Sequence, residues 1–82
     1  MMYTKIQFGK DLKQRVAKRE NIESIGRWAF NNYWEHILDI EDGVRRLALD
    51  LGTMELGPEF AFSYEELDKI ADDLIAGKEV KL

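Results

Sequence analysis

The stretch Phe62-Ser63-Tyr64-Glu65-Glu66-Leu67-Asp68-Lys69-Ile70-Ala71-Asp72-Asp73-Leu74-Ile75-Ala76-Gly77 decides the fold class. Ser63 and Glu66 stand three apart, the spacing at which a hydroxyl and a carboxylate each accept a hydrogen bond from one of the orphan backbone N–H groups of a helix start. Phe62 and Leu67 occupy the two positions of a hydrophobic staple around that cap. Leu67, Ile70, Ala71 and Leu74 then follow helical spacing, and Gly77 stands where a left-handed C-cap would end the helix.

Working outward, residues 53–62 hold Gly57-Pro58 and then Phe60-Ala61-Phe62, a turn followed by an extended anchor that packs two aromatics. Before that loop, Asp39 can cap a helix through Val44, Leu47, Ala48 and Leu51, with Gly52 as its stop. Glu41 and Asp42 in its first turn suit the positive end of a helix dipole. Asn21 can cap an earlier helix whose apolar face is Ile22, Ile25, Gly26, Ala29, Tyr33 and Ile37, with Gly26 allowing another backbone to come close. The first segment reads two ways: Phe8, Leu12 and Val16 follow a period of four, whereas Met2, Thr4, Ile6 and Phe8 alternate as in a strand. A helix over about residues 4–18 is preferred; the alternative pairs strands 3–8 and 79–82.

These signals predict an all-α fold, a compact bundle or orthogonal array of four short helices, in one domain over residues 1–82. At this length folding buries only about 60 % of the surface the unfolded chain exposes, so the core must be efficient. Hydrophobic residues make up 45 % of the chain and charged ones 34 %, too apolar for disorder and too charged for a membrane span. With no cysteine, packing alone holds the core and a reducing compartment is the natural setting. The first residues lack the apolar run of a signal peptide, which makes a cytoplasmic protein the expectation, with no membrane partner. The net charge of −4 conceals a split: residues 1–20 carry +4 and residues 21–82 carry −8. An acidic field of that size disfavours nucleic acid and favours a cationic protein.

No catalytic constellation stands out, and neither a cofactor nor a metal is expected. His36 is the only histidine; Glu35 beside it and Asp39 at helical spacing allow a carboxylate–imidazole pair, but zinc needs three or four ligands. A surface histidine near a helix C-terminus, where its cation is favourable, is the plainer reading. Ser24 and Ser63 look like helix-start residues, not nucleophiles, and phosphate loops are absent. Carboxylates gather as Glu35, Asp39, Glu41 and Asp42 around one turn, and as Glu65, Glu66, Asp68, Asp72 and Asp73 on the last helix. Neither group has EF-hand spacing, and each reads as a solvated face or as a platform for a basic partner. The basic first helix, with Lys10, Lys13, Arg15, Lys18 and Arg19, could contact phosphates. Pairing with the acidic remainder of the chain is the preferred role.

Trp28, Phe30, Tyr33 and Trp34 form an aromatic group on the second helix. Tyr33 lies on the apolar face, and Trp28 and Trp34 fall on opposite flanks of it, so the two indoles cannot face one neighbour. The preferred arrangement wraps this helix on several sides and buries both rings. In the other, one tryptophan is exposed near acids, the composition of a protein-binding hot spot.

The succession Arg19-Glu20-Asn21-Ile22-Glu23-Ser24-Ile25-Gly26-Arg27-Trp28-Ala29, an acidic turn, a leucine-rich helix, and Gly57-Pro58-Glu59-Phe60-Ala61-Phe62-Ser63-Tyr64-Glu65-Glu66-Leu67 resembles small bacterial helical proteins among candidate polymorphic-toxin immunity proteins. The resemblance covers about residues 15–76. It implies an acidic, non-enzymatic binder that blocks a toxin, and it carries no individual binding residue. The expected docking residues are Trp28, Trp34, Glu35, Asp39, Glu41 and Asp42, facing a basic protein. A structural homodimer or assembly subunit and nucleic-acid binding through the first helix are the competing readings.

Overall fold

In the computed structural model, which describes residues 2–57, 59 and 61–80, the capping box at Ser63 is formed in both directions. The Ser63 hydroxyl accepts from the Glu66 N–H and the Glu66 carboxylate accepts from the Ser63 N–H, each at 3.1 Å. The helix it starts, α4, spans Tyr64–Ile75 and closes at Gly77, whose φ of +82° is the left-handed conformation glycine adopts without penalty. Phe62 packs half-buried on the core; Phe60 and Pro58 lie outside the described residues.

Three other α-helices precede it among the described residues: α1 at Lys5–Ala17, α2 at Ile22–Glu35 and α3 at Asp42–Gly52, which tightens into a 3₁₀ turn at Thr53–Glu55. The all-α fold class is therefore shown. Thr4 caps α1 by accepting from the Gln7 N–H, and Asn21 caps α2 by accepting from the Glu23 N–H.

The start of α3 differs from expectation. Asp39 does not cap it; Glu41 is the N-cap residue and makes no side-chain capping bond to the helix. The Asp39 carbonyl is taken instead by the Tyr3 N–H at 2.7 Å, and the Glu41 N–H donates to the Tyr3 carbonyl at 3.0 Å. Tyr3 and Ile40 thereby form an isolated parallel bridge. The alternating run at the N-terminus thus has an extended part, but it ends at Thr4 and pairs with the α2–α3 turn. The alternative pairing with residues 79–82 does not form among the described residues; Lys81 and Leu82 lie outside them.

Packing joins α1 mainly to α4, and α2 mainly to α3 and the 3₁₀ turn. Each pair closes over a glycine. A Cβ on Gly26 would lie 3.1 Å from the Leu51 carbonyl oxygen, the close approach the sequence predicts. A Cβ on Gly9 would lie 2.8 Å from the Leu74 Cβ and 2.9 Å from the Ala71 carbonyl oxygen. Between the pairs lies one core in which Phe8, Leu12, Ile25, Val44, Leu51, Met54 and Leu67 are fully buried. The charge split closes on itself as well: Lys13 reaches Asp68 at 3.0 Å and Asp72 at 2.7 Å across α1 and α4, and Lys5 lies 3.9 Å from Glu41. Tyr64 ties α4 to the α1–α2 turn by donating to the Glu20 carbonyl at 2.6 Å.

Because backbone and a branched stem face Gly9, Gly9→Ala should destabilise the fold by about 1–3 kcal/mol in urea unfolding. Gly43 has open space around its Cβ direction, so Gly43→Ala should be stabilising by about 0.5–1 kcal/mol. Equal effects of the two substitutions would contradict the α1–α4 contact described.

Candidate functional site: an aromatic and acidic surface on α2

The end of α2 is held in place by Tyr3. Its hydroxyl donates to Asp11 Oδ2 at 2.7 Å and accepts from Asn32 Nδ2 at 2.8 Å. Its ring lies flat on the His36 imidazole, centroids 4.0 Å apart and planes 6° from parallel, and meets Phe8 edge-on. Asn32 is the one buried polar residue among those described, and no buried side-chain nitrogen or oxygen there lacks a partner. Burial, then the bond to Asp11, pushes the Tyr3 phenol well above its ordinary 10.0. Sequence reasoning missed Tyr3, Asp11 and Asn32. The available signal was Asn32 itself, a polar residue on the arc of Ile25 and Ala29.

His36 is the C-cap residue of α2, the position the sequence predicts, and its Nδ1 lies 3.6 Å from Asp39 Oδ1. From there the chain turns through residues 36–41 into α3. This turn and the solvent side of α2 carry a run of uncovered apolar side chains: Trp34 is 56 % exposed, Phe30 41 % and Leu38 98 %. Trp34 stands edge to face with Phe30 at 6.2 Å and with Tyr33 at 5.4 Å. Phe30 rests against Gly52, where a Cβ would come within 3.2 Å of its own Cβ. Leu49, one turn before Gly52 on α3, is 39 % exposed.

The two tryptophans have different fates, which corrects the preferred arrangement in which both are buried. Trp28 is half-buried, stacked on Phe8 at 5.1 Å with the Arg15 guanidinium 4.7 Å from its ring centre. It lines a cleft with Arg15, Asn31, Asn32 and Glu35. Trp34 is left open because α3 and the 3₁₀ turn reach α2 along Gly26 and Phe30, and α1 reaches it along Trp28.

The four carboxylates also separate. Glu41 is used within the fold: it accepts from the Lys5 N–H at 3.0 Å and pairs with the Lys5 ammonium. Asp42 projects into solvent, 4.0 Å from Arg45. Glu35 is exposed, and Asp39 is exposed beside His36. What remains open is the Phe30–Trp34 pair, with Leu38 exposed on the turn after α2; the free carboxylates lie apart, Glu35 at the Trp28 cleft, Asp39 beside His36 and Asp42 at the start of α3. Apolar side chains of this size in one exposed patch mark a binding surface more often than acids alone do.

No group of three or more histidine, cysteine or carboxylate residues that could hold a metal occurs among the described residues. None of their helices is long and apolar enough to cross a membrane. No family model, curated protein or solved structure matches the chain.

Tyr3→Phe removes the partner of a buried amide and should cost about 1–3 kcal/mol at neutral pH. The pH dependence has a definite sign. The folded state holds the phenol protonated, so its contribution is complete below about pH 10, where the unfolded phenol is protonated too, and declines above it as the unfolded chain loses its proton first. The stability gap between wild type and Tyr3→Phe should therefore narrow from pH 10 upward in urea titrations. A gap independent of pH over that range would contradict the buried, protonated phenol.

Proposed function

We propose that this chain is a non-enzymatic binding protein of the bacterial cytoplasm that docks a basic protein on Phe30, Trp34 and Leu38. The reading extends to an immunity protein that neutralises a basic toxin. The observation that carries it is the open Trp34–Phe30 pair, with Leu38 exposed on the turn that follows α2, in a molecule of net charge −4. Tryptophan is prominent among residues that dominate binding energy when covered, and a surrounding negative field speeds and orients the approach of a cationic surface. The first helix offers less to phosphates than its composition suggests, since Lys5, Lys13 and Arg15 are each paired with a carboxylate.

A second copy of the chain could also cover Trp34. Two copies would each bring a net charge of −4, which favours a partner of opposite charge. Light scattering at high concentration should give the monomer mass of 9.6 kDa; a dimer abolished by Trp34→Ala would replace the proposal with self-association.

Affinity capture from the host should retain a basic protein whose binding weakens as salt rises. Trp34→Ala should lower its recovery at least about tenfold, the scale of a hot-spot truncation, and Glu35→Lys with Asp39→Lys should abolish it. Lys10→Glu, on the exposed side of α1, should leave it unchanged. Recovery indifferent to both the Trp34 and the carboxylate substitutions would show that this surface does not dock the partner.

A further inference from the structure

On the flank of α2 that carries Trp28, the cleft against α1 has donors at one end and acceptors at the other. Arg15 and Trp28 form the first end. The guanidinium lies 4.7 Å from the ring centre and gives one nitrogen to Glu20 at 3.0 Å, which leaves its other N–H groups to donate. Asn32 and Glu35 form the second end, one and two turns further along the same face of α2. Asn32 is 7 % exposed, and its amide nitrogen is committed to the Tyr3 hydroxyl. Its carbonyl oxygen and the Trp28 indole N–H have no hydrogen-bond partner among the described residues, yet no buried side-chain nitrogen or oxygen there is orphaned. Both atoms therefore reach solvent, and both residues line the cleft. Arg27, also on the wall, is held by Glu55 at 2.8 Å as Arg15 is by Glu20. Glu35 is thus the one charge on the wall without an opposite partner among the described residues.

We infer that this cleft binds a small zwitterion of the α-amino acid class, its carboxylate on Arg15 and the Trp28 N–H and its ammonium on the Asn32 carbonyl oxygen and Glu35. Size and spacing both set the class. The cleft holds about 300 Å³, the lower end for small-molecule sites and room for a ligand of amino-acid size. Along the helix axis Trp28 and Asn32 are about 6 Å apart, and Trp28 and Glu35 about 10 Å. Two charge-assisted hydrogen bonds of about 2.8 Å each leave a few ångströms for the charged groups of the ligand itself, the separation of an α-ammonium from its α-carboxylate. A simple anion would meet the Glu35 charge and a simple cation the two guanidiniums, so a molecule carrying both signs suits both ends. The site is separate from the docking surface at Phe30 and Trp34 and does not depend on it.

The test is titration of the whole, isotope-labelled protein with L-alanine, followed by nuclear magnetic resonance at the Trp28 indole N–H and the Asn32 side-chain amide. Propionate and ethylamine, which lack the ammonium and the carboxylate respectively, are titrated beside it. L-Alanine should give saturable shifts at both groups with a Kd of about 1 mM. It should bind at least about tenfold more tightly than either analogue, the effect of losing one charge-assisted end. Glu35→Gln should weaken L-alanine at least about fivefold and leave propionate unchanged. Asp42→Asn, an equal change of charge at the start of α3, should leave L-alanine unchanged, which separates contact from the general field. Arg15→Gln should weaken L-alanine and propionate together. No saturable shift with L-alanine, an analogue that binds as tightly, or an affinity indifferent to Glu35→Gln would overturn the inference.

Discussion

Tyr3 joins three parts of the chain through a single residue. Its hydroxyl bonds α1 through Asp11 and α2 through Asn32, its ring lies on His36 at the end of α2, and its backbone pairs with the turn at Ile40. Asn32 could not stay buried without that hydroxyl, because an unsatisfied amide in an apolar core costs more than the bond contributes. The extended segment at residues 2–4 could not lie where it does without the turn. Each contact is modest, but they share one residue, so losing it would release the N-terminal strap, the buried amide and the α2–α3 turn together.

The two helix pairs supply what Tyr3 does not. Gly9 lets α1 seat on α4 and Gly26 lets α3 seat on α2, both at distances a methyl group would oppose. Tyr3, anchored beside α1, reaches across to the second pair. A small core with no cysteine has few other means of fixing the relative placement of two such pairs. The docking surface depends on that placement, since Trp34 sits at the last turn of α2 and Leu38 and Asp39 sit on the turn that Tyr3 holds. A rigid display of one indole and a few carboxylates limits the entropy lost on binding, which matters for a surface this small.

Local rules were legible wherever one element answered for itself. The α4 cap, its apolar stripe and its glycine stop could all be read from residues 62–77, because every signal there lies within two turns of its partner. The close approach at Gly26 was legible for the same reason: a glycine on an apolar arc has few other uses. Asp39 misled because capping propensity describes what a side chain can do, while its backbone carbonyl was claimed by a residue 36 positions away. The two tryptophans misled in a related way. Their helical positions fix which flanks they occupy, but burial depends on which helices arrive at those flanks. Glu41 could not be separated from Glu35 and Asp39 without the N-terminus of α1, which takes its carboxylate.

The central claim is that Tyr3 holds the α2–α3 turn as part of the native core and so fixes the surface beside it. Native-state hydrogen exchange at the amides of Tyr3 and Glu41 tests this most directly, because those two N–H groups are the bridge itself. If the account holds, both exchange only through the opening that also exposes core amides such as that of Leu12, with matching free energies in low urea. Exchange of the two bridge amides at rates near those of an open chain, while Leu12 remains protected, would mean that the strap is loose and that the turn carrying Leu38 and Asp39 is not held by Tyr3.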